Sequence, residues 1–259
     1  NGWGYESIDN LSCASESGGY WNRDLTVSDN TTLDTVCFGA CADCVPGCTD
    51  AIATNYDGSA NVNDGTCEYP AVDPENLFFS EYAEGSSNNK YWEIYNAEDH
   101  EVDLSGYSLS SCSNGCDDEI NWDYPNNLTF DVGTVVQSGD VFVICHSSSD
   151  QYILDLCDLP TGYYYYSNGD DVFALTQIGS GTVLDIVGVV GVDPGSGWEV
   201  AGVSDATKEH TLVRKSTVTS GNDGNWATSA GTDADDSEWV VLDQNDWAYL
   251  GSHPHDFAS

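Results

Sequence analysis

Apolar and polar positions first fall into a regular pattern at Asn76. Leu77-Phe78-Phe79 runs into alternating Glu81-Tyr82-Ala83-Glu84, a polar Gly-Ser-Ser-Asn-Asn turn follows, and Tyr91-Trp92-Glu93-Ile94-Tyr95 alternates again with period two. Side chains alternate across a strand, so this spacing predicts two strands joined by a tight loop. Val102, Leu104, Tyr107 and Leu109 then punctuate a polar background. Gly106 slips the alternation by one residue, which predicts a bulge or tight bend there. Aromatic and β-branched residues favour a pleated surface over a helix.

Strand character continues from there. Asn121-Trp122-Asp123 and Leu128-Thr129-Phe130 resume it, and Ser138-Gly139-Asp140 turns the chain into a buried strand, Val141-Phe142-Val143-Ile144-Cys145. Tyr163 to Tyr166 is read as strand with its rings on both faces. Ser167 to Thr176 and Gly181 to Gly188 form a hairpin, and His210 to Lys215 supplies a late strand. Upstream of Asn76 there is little sustained periodicity; Leu25-Thr26-Val27 and Thr35-Val36-Cys37-Phe38 are the short strand candidates.

Several of these pieces together resemble the lamin tail domain. They are Glu81-Tyr82, Trp92-Glu93-Ile94-Tyr95-Asn96 and Val102-Asp103-Leu104-Ser105-Gly106-Tyr107-Ser108-Leu109 at the start, and Val183-Leu184-Asp185 after a Gly-rich turn in the middle. His210-Thr211-Leu212-Val213-Arg214-Lys215 and Gly224-Asn225-Trp226 stand at the end. The resemblance spans about residues 76 to 250, with long inserted loops, and implies an all-β, immunoglobulin-like β-sandwich. It also implies a binding or architectural module, found in secreted microbial proteins beside enzymes or surface anchors, and it brings no catalytic residues.

The expected organisation is a cysteine-rich segment over 1–46, a cysteine-bounded Asp/Asn-rich module over 47–69, a linker over 70–75, the sandwich over 76–250 and a tail over 251–259. The second piece, Gly47-Cys48-Thr49-Asp50 through Asn55-Tyr56-Asp57 to Asp64-Gly65-Thr66-Cys67, resembles a short module of secreted proteins from marine microbes and algae. Cys48 and Cys67 would close it, Cys112 and Cys116 a local loop, and Cys145 and Cys157 the segment between them. A zinc site from Cys37, Cys41, Cys44 and Cys48 is disfavoured, because the spacing is too compact and secreted thiols oxidise.

Composition changes the picture in one respect. Five Lys and Arg face 44 Asp and Glu among 259 residues, a formal charge of −39. Such a surface repels nucleic acid and anionic lipid. Forty per cent hydrophobic content still supports a core. The acidity reads as adaptation to salty water, as capture of divalent cations, or as both. Ten cysteines and no apolar run of about 18 residues point to an oxidising, extracellular setting without a membrane helix. The first residue, Asn1, is expected to follow a removed signal peptide. Asn10, Asn30 and Asn127 stand in N-x-S/T sequons, glycan acceptors in a eukaryotic host.

Candidate chemistry concentrates in one loop. Asp57, Ser59, Asn61, Asn63 and Asp64 place oxygens on alternate positions before Gly65, as calcium loops do, and also as Asx turns do when side chains cap their own backbone. Both readings stand at this point. Asp170-Asp171 and Asp233 to Asp236 are further candidate cation loops, and His253-Pro254-His255-Asp256 reads as a solvated tail. No nucleophile elbow, HExxH or phosphate loop occurs in the sequence, so no enzyme is expected. The leading expectation is a secreted structural or adhesive protein, a calcium-stabilised subunit of a filament or surface assembly. Its partners would be further copies, other surface proteins or glycans. The alternative is a calcium-dependent carbohydrate-binding module or an accessory domain of a secreted hydrolase.

Overall fold

The computed structural model describes residues 21–26, 32–36, 45–49, 53, 55–67, 75–117, 121–162 and 165–257. The expectations placed on Asn10, Asn30, Cys13, Cys37, Cys41, Cys44 and residues 70–74 lie outside them. The chain divides into two compact units, Asn1–Val72 and Asp73–Ser259.

The first unit holds two small ladders. Strands β1 (Trp21–Thr26) and β2 (Thr32–Val36) pair antiparallel, and β3 (Pro46–Gly47) pairs parallel with β4 (Val62–Asn63). Cys48 is bonded to Cys67 and is buried, as is Ala53. Among the described residues of this unit these are the buried apolar ones, and the cross-link adds to what they supply.

In the second unit, β5 (Leu77–Glu84) and β6 (Lys90–Asn96) form the predicted pair. The chain continues through β7 (Val102–Asp103), β8 (Tyr107–Cys112), β9 (Tyr124–Thr129), β10 (Val135–Val136), β11 (Val141–His146) and a short helix α1 (Gln151–Asp155). Then come β12 (Leu159–Thr161), β13 (Val172–Gln177), β14 (Val183–Val187), β15 (Thr211–Arg214), a second helix α2 (Trp226–Ala230) and β16 (Trp239–Leu242).

These strands make two main sheets. One has the order β12-β11-β6-β5-β15-β16, the other β14-β13-β8-β9, and β7 pairs with β10 apart from both. All pairings are antiparallel except β11 with β12. Phe79, Tyr82, Trp92, Ile94, Ile144, Leu212 and Trp239 from the first sheet meet Leu109, Leu128, Phe173, Leu175, Leu184 and Ile186 from the second in one continuous core. The Trp92 and Phe173 rings lie 4.9 Å apart across it. The second unit is thus an all-β sandwich, as the resemblance implied.

One irregularity in β5 decides which side chains reach the core. The β5–β6 register shifts between Phe79 and Glu81. Leu77 and Phe79 point inward before the shift and Tyr82 points inward after it, while Glu81 and Ala83 face outward. A single inserted residue reverses the phase of a period-two pattern.

Of the bulge or tight bend expected at Gly106, the structure has the tight bend, a 3-10 turn over Leu104–Gly106 capped by the Asp103 side chain. Two expectations are corrected. Tyr165 and Tyr166 lie in the turn between β12 and β13 and not in a strand. His253 is buried against Phe78 and Tyr95 at ring distances of 5.6 and 4.7 Å, so the first part of the presumed solvated tail is packed on the sheet.

Candidate functional site

The two sheets do not close on each other everywhere. Ser111, Phe173 and Tyr124 form one rank across β8, β13 and the edge strand β9. Beside this rank, Tyr165 and Tyr166 follow the edge strand β12 of the opposite sheet. Between them lies a cleft of about 360 Å³, lined also by Cys112, Ser113, Asn127 and Asp171.

The walls are fixed from behind. The Trp92 Nε1–H donates to the Tyr165 carbonyl at 3.1 Å, and the Tyr166 hydroxyl meets the Thr161 hydroxyl at 2.5 Å. Tyr124 is left 52% exposed at the rim. The Asn127 amide donates to the Ser111 hydroxyl at 2.9 Å, which turns its side chain across β8.

Cys112 is bonded to Cys116, and the loop between them is held on two sides. Asp123 accepts from the Ser113 and Asp117 N–H groups at 3.0 and 2.9 Å, and Asp171 accepts from the Asn114 N–H at 3.0 Å. Gly115 sits at φ +101°, where any Cβ would lie 2.2 Å from the Val192 carbonyl oxygen, so only glycine fits. Burial pushes the Asp171 carboxyl above the ordinary carboxylate range, against the lowering effect of the Asn114 and Asn168 N–H groups. The cleft therefore combines phenol rings, hydroxyls, one carboxamide and one partly desolvated carboxyl group on a rigid rim.

The residues singled out for calcium are engaged with backbone. Asp57 Oδ1 accepts from the Ser59 N–H at 2.8 Å and the Ser59 hydroxyl at 2.6 Å. Asn61 Oδ1 accepts from the Val45 N–H at 2.9 Å and Asn63 Oδ1 from the Gly65 N–H at 3.0 Å. Asp64 Oδ1 accepts from the N–H and hydroxyl of Thr66 at 3.0 and 2.5 Å. Hydrogen bonds from Ser59 and Thr66 hold the Asp57 and Asp64 carboxyls below the usual range. The geometry on display is the Asx-turn one. Asp233 and Asp236 behave alike: Asp236 accepts from the Thr232 and Asp233 N–H groups, and Asp233 from those of Asp235 and Asp236.

A different group brings metal-ligating atoms together. Glu75, Glu98 and His100 place one ligand atom each within 4.8 Å of the others. Fully buried Asn96 pins this loop, accepting from the Glu98 N–H at 2.9 Å and donating to the His100 carbonyl at 2.8 Å.

Cys145 is bonded to Cys157, which ties β11 to the end of the α1 segment, and no described cysteine is free. Among the described residues, no helix is long and apolar enough to cross a membrane.

No curated protein matches the chain significantly. A crystal structure of a DUF4876 family protein from Bacteroides thetaiotaomicron is similar at 13% identity over 67% of this chain and 69% of that one, with a TM-score of 0.37. Residues 70–191, which carry β5 to β14 and the whole cleft, match the family model of the Lamin Tail Domain.

Proposed function

We propose that this chain is a non-catalytic, extracellular adhesive module that holds glycans in the cleft between Tyr124 and Tyr165. The observation that carries this reading is the lining of that cleft: Tyr124, Tyr165 and Tyr166 beside Asn127, Asp171, Ser111 and Ser113. Sugar rings present apolar C–H faces that stack on aromatic rings, and vicinal hydroxyls that pair with planar amides and carboxyl groups. A net charge of −39 favours neutral sugars over anionic ones. The disulfides at Cys48–Cys67, Cys112–Cys116 and Cys145–Cys157 agree with an oxidising, extracellular setting.

The test is a glycan array probed with the full chain, in calcium and in chelator. Binding to neutral glycans that is lost in Tyr124→Ala and Tyr165→Ala supports the reading. An array with no hits in either buffer, or hits that survive both substitutions, overturns it. The chelator arm decides whether calcium belongs to the adhesive unit.

A further inference from the structure

The outer face of the six-stranded sheet buries two acids where a cation would be expected. Glu81 on β5 and Glu93 on β6 are cross-strand partners, 0% and 1% exposed. The segment from Asp246 to Phe257 lies over this face. Leu250 and Trp247 pack with Ala83, Tyr91, Val143, Cys145 and Ile153, and His253 packs on Phe78 and Tyr95.

The two acids are equipped differently. Glu93 accepts from the Ser80 hydroxyl at 2.7 Å and, through its other oxygen, from the Gly251 N–H at 2.6 Å. Two donors suit an anion. Glu81 accepts from the Tyr91 hydroxyl on one oxygen, while its Oε2 is buried without a hydrogen-bond partner. The Trp247 N–H is likewise buried without a hydrogen-bond partner on this side of the sheet.

Among the cations whose side chains are described, none relieves this pair. Lys90 pairs with Glu84, Arg214 with Asp185 and Glu238, Lys208 reaches Ser196, and Lys215 reaches the Ala234 carbonyl. The other charged groups acting on the pair are acids: Asp246 on Glu81, and Asp140 and Asp158 on Glu93. Of the two histidines on the covering segment, His253 is kept neutral by burial, which pushes it down to about 4. His255 is turned to the Tyr249 and Ser252 carbonyls. Two adjacent carboxylates without a counter-charge retain a proton between them.

We propose that residues Asp246–Phe257 form a proton-dependent clasp: it is closed while the Glu81–Glu93 pair holds at least one proton, and it loosens when both carboxyls are ionised. The second negative charge would sit beside the first in a water-free space, and hydration by opening the clasp is its relief. The Gly251 N–H to Glu93 bond is the contact that reports closure. Burial raises the Glu81 carboxyl well above its ordinary range, and the adjacent Glu93 adds to that rise.

Hydrogen exchange on the intact chain tests this, with rates corrected for the intrinsic pH dependence of amide exchange. Between about pH 5.5 and about pH 9, protection of residues 246–257 is expected to fall about tenfold or more, with that of β8 and β13 unchanged. Glu81→Gln, which copies the protonated form, is expected to keep the segment protected at the higher pH. Equal protection of the wild-type segment at both values overturns the proposal without any variant. So does a Glu81→Gln chain with the wild-type pH dependence. Recovery of protection by calcium at the higher pH overturns it in favour of a metal-held segment.

Discussion

Arg214 and Asp185 form a salt bridge with both side chains fully shielded from solvent, and it joins the two sheets of the sandwich. Asp185 stands on β14 and Arg214 on β15. The guanidinium also donates to the Phe79 carbonyl at 3.2 Å and the Ser229 hydroxyl at 3.0 Å, and it lies 4.0 Å from the centre of the Trp239 ring. Asp185 accepts in turn from the Phe79 N–H at 2.8 Å and the Asn222 N–H at 3.1 Å. Breaking one end of such a pair strands a charge in the core, so Arg214→Ala is expected to cost about 3–5 kcal/mol. The double replacement Arg214→Met with Asp185→Leu is expected to recover most of that loss. Urea unfolding of the single and double variants measures both, and a single variant within about 1 kcal/mol of wild type would refute the account.

Two buried groups pull the pH dependence of stability in opposite directions. Burial raises the Glu93 carboxyl to about 7 from an ordinary 4.5. Its protonated form is favoured in the fold, so this contribution is complete below about pH 4.5 and is lost as pH rises through 7. Burial lowers His253 to about 4 from 6.5. Its neutral form is favoured, so its contribution is complete above about pH 6.5 and is lost as pH falls through 4. Relative to wild type, Glu93→Gln is therefore expected to make stability rise more steeply with pH between about 4.5 and 7. His253→Gln is expected to make it fall more steeply over about pH 4 to 6.5. Thermal unfolding across that range reads the slopes.

The Cys48–Cys67 bond closes a span with a sequence separation of 19. A loop of that length is worth about 3 kcal/mol in the chain-entropy picture. Cys48→Ser with Cys67→Ser is expected to unravel residues 45–67 and leave the melting of the sandwich in place. Amide NMR spectra distinguish the two outcomes by which resonances lose dispersion.

Asn127 is both a sequon asparagine and part of the cleft wall. A glycan on its amide nitrogen would replace the bond to Ser111 and occupy the cleft. Protein made in a glycosylating eukaryotic host is expected to lose glycan-array binding. Thr129→Ala, which abolishes the sequon from an exposed position outside the cleft, restores it.

Local pattern was legible in the sequence and long-range pairing was not. The β5–β6 pair and the β13–β14 hairpin follow from local pattern, because in each the strands adjacent in sequence are paired, while β11 showed as a continuous apolar run. The phase reversal at Ser80 was hidden, since an inserted polar residue between Phe79 and Glu81 looks like ordinary alternation. Nothing local marked Arg214 as buried. Its burial follows from sharing a face with Leu212 on a strand flanked by both β5 and β16. The α1 helix was missed because five residues are too few for helical periodicity, although Asp150 caps it through the Tyr152 N–H. In the cleft, Asn127, Asp171 and the tyrosines each drew notice separately. Their meeting depends on the β8–β9 and β8–β13 registers, which no local signal encodes.

The acidity itself takes on another meaning beside the turns. Asp57, Asp64, Asp103, Asp150, Asp193, Asp233 and Asp246 each accept a backbone N–H two residues onward, and Asp236 closes the loop that precedes it. In each case the negative charge is a by-product of turn geometry. A sandwich with many long loops accumulates such aspartates in proportion to its corners, whatever water it lives in. Asn63 and Asn222 close the same turn at Gly65 and Gly224 without a charge, so an Asp→Asn exchange at such a corner would lower the charge and keep the turn.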